Sequence, residues 1–125
     1  MDNKNRPINL DLATIKFPIM AIVSIMHRLS GIVIFILLPM AIYFCDLSLK
    51  SAESFMDLRI LLINPYYKFI VWMFVASLAY HMLAGMRHIF MDCGYGDDLK
   101  SGRYSAIFLV VLSIICIFSL GIWIW

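Results

Sequence analysis

With 125 residues, 63% of them hydrophobic and only 14% charged, and a mean hydropathy of +0.91, the chain is too apolar for an ordinary soluble domain. A net charge of +2, with no basic tract, gives no sign of a nucleic-acid partner. Cys45, Cys93 and Cys116 fall in three different segments without metal-ligand spacing, so free thiols are expected rather than a metal site.

About 20 apolar residues cross the hydrocarbon core as a helix, and three stretches qualify, over residues 19–45, 69–92 and 104–125. The fold class read from this is an all-α integral membrane protein: one membrane-anchor domain over 1–125, with three transmembrane helices in a bundle. So few spans enclose little interior, and a site built here is expected to be completed by other chains.

Residues 1–18 form a polar arm in which Ile8, Leu10 and Leu12 alternate with polar residues before Phe17-Pro18. The following run holds His27 and Arg28 and lacks a small-residue cleavage site, so it reads as a span and not a removable signal. Pro18 suits the first turn of a helix, placing the start near Ile19. The polar group Ser24, His27, Arg28 and Ser30-Gly31 sits at one end of this helix, and Pro39 is expected to kink it. The linker after it carries Lys50, Glu53, Asp57 and Arg59, with Leu58, Leu61 and Leu62 hinting at a short surface helix. Asn64-Pro65 is a turn signal, and Tyr66, Tyr67 and Trp72 suit an aromatic belt.

The second span ends in His81-Met82-Leu83-Ala84-Gly85-Met86-Arg87-His88-Ile89-Phe90-Met91-Asp92. On a helix, His81, Gly85, His88 and Asp92 share one side. Arg87 lies off that stripe and is expected to snorkel to the headgroups. Cys93–Asp98 is a turn-rich break, and the last span has no charged residue, so it is assigned to packing. Lys4, Arg6, Lys16, Lys100 and Arg103 outweigh Lys50, Arg59 and Lys68 on the opposite side, which predicts a cytoplasmic N-terminus and a periplasmic C-terminus.

Ionisable groups at membrane depth cost about 2.5 to 3.5 kcal/mol each on insertion scales, and so mark a site with partners. At about 1.5 Å per residue, Ser24, His27, Arg28, His81 and His88 all fall in the inner half of the bilayer. A neutral imidazole with a cation nearby is what a membrane haem needs, since iron takes the nitrogen and the cation neutralises the propionates. Gly85 leaves room for a flat ring or a close helix contact. A proton or ion path through Arg28, His81, His88 and Asp92 fits the same residues, and intramembrane histidines and small residues also serve plain packing. Spacing alone leaves these readings open.

Three motifs go further: Arg6-Pro7-Ile8-Asn9-Leu10-Asp11-Leu12, Ser24-Ile25-Met26-His27-Arg28-Leu29-Ser30-Gly31, and Ala79-Tyr80-His81 through Asp92-Cys93-Gly94-Tyr95. Together they resemble the cytochrome b-type membrane anchor of succinate dehydrogenase, the succinate:quinone oxidoreductase of respiratory complex II, in its proteobacterial ubiquinone form. The resemblance implies haem b with His81 as axial ligand, the other ligand coming from a second small anchor subunit. It implies that His27 and Arg28 lie near the propionates and His88 in the same haem region. Ser24 and Arg28 would line the ubiquinone pocket, with Asp92 at its inner end. Hydroxyl and guanidinium donors there would stabilise charge developing on the quinone oxygens. It further implies an iron–sulfur subunit that delivers electrons, a flavoprotein subunit that oxidises succinate, surrounding membrane lipid, and a place in the bacterial inner membrane. A fumarate reductase-type anchor, or an anchor that binds quinone without haem, shares these features.

Overall fold

The helix boundaries follow from capping chemistry as much as from hydropathy. A computed structural model, which describes residues 17–96 and 98–125, shows four helices: α1 (Ile19–Lys50), α2 (Ala52–Leu61), α3 (Pro65–Asp92) and α4 (Leu99–Ile124). Residues 1–16, most of the expected arm, lie outside the described part. Pro18 stands in the extended conformation just before α1, as its fixed φ favours. Ser51 separates α1 from α2 and caps α2 through a reciprocal pair with Ser54, satisfying two otherwise orphaned N–H groups.

The expected turn at Asn64-Pro65 is a helix start. Asn64 accepts from the Tyr66 N–H at 2.9 Å, and Pro65 occupies the first helical position, where it lacks only a donor that would have no helical partner. Asp98 caps α4 in the same manner, accepting from the Ser101 N–H at 3.1 Å. The end of α3 is a Schellman turn. Gly94 takes φ +83°, its N–H reaches Met91 O at 2.9 Å, and the Tyr95 N–H reaches Phe90 O at 3.0 Å.

These caps explain why the helices outrun the apolar stretches, reaching Lys50 instead of 45 and starting at Pro65 and Leu99 instead of 69 and 104. Hydropathy marks the hydrocarbon layer, whereas peptide hydrogen bonding continues into the headgroups. α1, with 32 residues, is about 48 Å long at 1.5 Å per residue, against a hydrocarbon core of about 30 Å. It runs through Pro39 as one helix. The hinted surface helix is α2, held against α1 by buried Leu58.

Three helices are long and apolar enough to cross a membrane, and among the described residues there is no strand. α3 packs against both α1 and α4, and α1 also meets α4. The start of α1, the end of α3 and the start of α4 share one end of the bundle, called proximal below. The core is small: Val23, Ala84, Ala106 and Leu109. Large side chains such as Phe35, Phe118 and Ile122 point outward, which costs nothing when the solvent is lipid. With no hydrophobic drive between helices, close approach at small residues holds the bundle.

Trp72 shows this at the distal end. Its indole N–H donates to Ile117 O at 3.2 Å, and a Cβ on Gly121 would stand 3.2 Å from the same nitrogen. Gly121→Leu should push the indole off α4 and lower the stability of the bundle by roughly 1 to 3 kcal/mol. Thermal unfolding in detergent checks this, and an unchanged midpoint would contradict the α3–α4 contact.

Candidate functional site: a histidine seam between α1 and α3

Residues 23, 27, 30 and 31 follow the helical i, i+4, i+7, i+8 spacing, so α1 turns Val23, His27, Ser30 and Gly31 toward α3. α3 answers with Tyr80, His81, Ala84, Gly85 and His88. The contact is reciprocal. A Cβ on Gly31 would meet His81 Cε1 at 3.2 Å, and a Cβ on Gly85 would meet His27 Nε2 at 3.6 Å. Gly31 thus leaves His81 room that a Cβ would crowd, whereas at Gly85 a Cβ would only come into ordinary contact with His27. The His27 and His81 rings stack with centroids 4.1 Å apart and 28° between planes, and His88 approaches His27 at 5.2 Å.

Backbone carbonyls of α1 hold the α3 side chains. Tyr80 donates its hydroxyl to Val23 O at 3.1 Å. His81 Nδ1 lies 3.1 Å from His27 O and 3.1 Å from Ser30 Oγ, while Ser30 itself donates to His27 O at 2.7 Å. A carbonyl only accepts, so Nδ1 must carry the proton in the bond to His27 O. In the neutral ring, Nε2 then keeps its lone pair. Nε2 of His81 can therefore ligate a metal or accept a proton, with its ring fixed from behind.

His27 Nε2 is buried with no hydrogen-bond partner among the described residues. Such an orphan calls for an explanation, because buried polar atoms are nearly always paired. Ser24 is half-buried, while Arg28 and Asp92 are exposed on the isolated chain. Of the sequence-predicted residues, His27, His81 and His88 come together directly. Ser24 and Arg28 sit on α1 beside them, and Asp92 ends α3 about 6 Å along the axis beyond His88. Among the described residues no group of three or more His, Cys, Asp or Glu side chains could hold a metal by itself, so iron at His81 would need most of its ligands from elsewhere, as a porphyrin supplies. The three cysteines are free thiols.

Two features escaped sequence reasoning. Ser30 and Tyr80 clamp the seam, and the signal was present in their positions on the α1 and α3 faces that carry the histidines. Arg87 does not snorkel. It is only 9% exposed, and donates from Nε to Ser105 Oγ and from Nη2 to Gly102 O, each at 3.0 Å. α4 supplies these acceptors, so the side chain turns inward; Ser105 and the small Gly102 were the available clue.

The family model described as the succinate dehydrogenase/fumarate reductase transmembrane subunit matches residues 2–120. The succinate dehydrogenase cytochrome b556 subunit of Coxiella burnetii is 44% identical over 124 residues, covering 98% of this chain and 99% of that one. The subunit of the same name from Rickettsia prowazekii is 31% identical over 88% of this chain and 86% of its own. The cytochrome b560 subunit of Reclinomonas americana is 30% identical over 98% and 87%.

Nitrogen NMR of histidine-labelled protein should find His81 as the Nδ1-protonated tautomer. Gly31→Val should shift that signal, because a Cβ there would stand only 3.2 Å from His81 Cε1. An Nε2-protonated His81, or a signal indifferent to Gly31→Val, would contradict the seam.

Proposed function

Because the chain belongs to the succinate dehydrogenase/fumarate reductase transmembrane subunit family, we propose that it is the cytochrome b-type anchor of a succinate:quinone oxidoreductase, holding haem b and forming part of its ubiquinone-reduction site. The observation that carries this is His81: its Nδ1 proton is engaged by His27 O and Ser30, which leaves Nε2 as a free, oriented ligand. The donor set suits the group. His81 would hold the iron through Nε2, with a second ligand supplied by another small anchor subunit. His27, with its orphaned Nε2, His88 and the guanidinium of Arg28 provide polar and cationic contacts for propionates. When bound, the haem supplies one-electron redox chemistry within the membrane.

Ser24 and Arg28, one helical turn apart, donate hydrogen bonds to a quinone oxygen. Those bonds strengthen as negative charge develops there, so they favour reduction over mere binding. Asp92, exposed at the proximal end, is placed to pass protons in from water. That end faces the cytoplasm in the bacterial inner membrane, where the iron–sulfur subunit docks and delivers electrons. Succinate is oxidised in the flavoprotein subunit beyond it. The relatives described above are all named as succinate dehydrogenase subunits, which favours that direction over fumarate reduction.

Arg28→Leu in the assembled complex should lower quinone reduction about tenfold or more, matching the loss of a charge-assisted hydrogen bond of about 1.5 to 3 kcal/mol. Ser24→Ala should act in the same direction but more weakly. Succinate oxidation by an artificial dye should persist in both. Parallel losses in the two assays would remove the quinone role.

His81→Tyr should abolish or strongly shift the reduced-minus-oxidised b-type band, and His88→Tyr should disturb it less. The reverse order would move the ligand to His88, and an absorbance unchanged by His81→Tyr would leave an anchor without haem.

A further inference from the structure

Three atoms of the α1–α3 seam form a closed triangle. Ser30 Oγ stands 2.7 Å from His27 O and 3.1 Å from His81 Nδ1, and Nδ1 stands 3.1 Å from His27 O. Ser30 is itself buried.

The protons of this triangle can be placed. A serine hydroxyl has one proton, and the shortest side, to His27 O, takes it. What Ser30 then offers His81 is a lone pair. His27 O also only accepts, so the Nδ1 proton of His81 is shared between two oxygens. His27 O has other donors to serve, since it belongs to the hydrogen-bond ladder of α1 and receives the Ser30 hydroxyl. Ser30 Oγ is the second acceptor, and giving up its own proton to a hydrogen bond makes its oxygen a better one.

Ser113 shows what is particular to this position. It too is buried, and it donates back along its own helix to Leu109 O at 2.7 Å. The back-bond alone is ordinary. At Ser30 the same bond turns an oxygen toward a histidine of another helix.

We infer that Ser30 is a positioning residue for the haem: by accepting the Nδ1 proton of His81 it makes Nε2 a stronger donor to iron and lowers the haem potential. This rests on the reading of His81 as the axial ligand. A hydrogen bond at the far nitrogen of a metal-bound imidazole strengthens its donation, and stronger donation stabilises ferric over ferrous iron. Second-shell hydrogen bonding is one of the few means a protein has to set such a potential.

Potentiometric titration of the b-type band in the assembled complex tests this. Ser30→Ala should move the ferric–ferrous equilibrium toward the reduced state roughly threefold to tenfold, as loss of one hydrogen bond allows, which raises the midpoint by up to about 59 mV for a one-electron couple. The ferric electron paramagnetic resonance signal should shift with it. Ser30→Thr, whose hydroxyl can bond the same helical carbonyl, should restore both. Ser30→Cys, with a weaker acceptor, should fall between serine and alanine, and it carries the test where Ser30→Ala fails to assemble. Ser113→Ala should leave the midpoint in place. A b-type band whose midpoint is the same in Ser30→Ala and Ser30→Cys as in the unsubstituted complex would overturn the proposal and leave the haem reading standing. So would an equal rise in Ser113→Ala, since general loosening of the bundle would then suffice. A complex without a b-type band, or with one indifferent to His81→Tyr, would remove the haem reading and this inference with it.

Discussion

A polar side chain inside a bilayer must find its partner within the protein, because the solvent offers none. The bundle rests on this constraint. His81 reaches the carbonyl of His27 where α1 and α3 pack together, and Gly31 on α1 keeps a Cβ out of its way. Gly31 faces His81, Gly85 faces His27, and at the far end Gly121 faces Trp72. At Gly31 and Gly121 a Cβ would crowd the ring from the neighbouring helix, and at Gly85 it would touch His27 at ordinary contact distance.

This gives α3 a central position and two different faces. Toward α1 it presents the His81 imidazole held by the His27 carbonyl, an arrangement that fixes its tautomer and leaves Nε2 with its lone pair. Toward α4 it presents a guanidinium held by a serine and a carbonyl. Between them, Ala84 is fully buried against Val23 and Ala106, and its small size lets both neighbours approach. Polar chemistry gathers at the proximal half of the bundle, while the distal half carries mainly apolar and aromatic packing.

Much of this was legible in the chain. Long apolar runs announced the spans, and the three-and-four spacing placed His81, Gly85 and His88 on one side. Boundaries were less legible, since hydropathy fades where the lipid ends while Asn64-Pro65 and Asp98 start their helices earlier. The histidines could be assigned to a common depth, but not to contact, because rotation of α1 about its axis is set by packing across the seam. Arg87 was misjudged for the same reason. A helix considered alone offers an arginine only the headgroups, and the alternative acceptors belong to α4. Ser24, half-buried, and Arg28 and Asp92, exposed, lie at the edge of the isolated bundle, so the spacing on one helix could not decide what they meet.

The interleaving of Gly31 with His81 and of Gly85 with His27 has a bearing on biogenesis. The connection from α3 to α4 begins with the turn at Gly94, whereas α1 is tethered to α3 through α2. The imidazole pair comes into being only when α1 docks on α3. Any prosthetic group gripped by both helices would favour the docked arrangement by its own binding free energy, so that its loading would be thermodynamically linked to the α1–α3 contact.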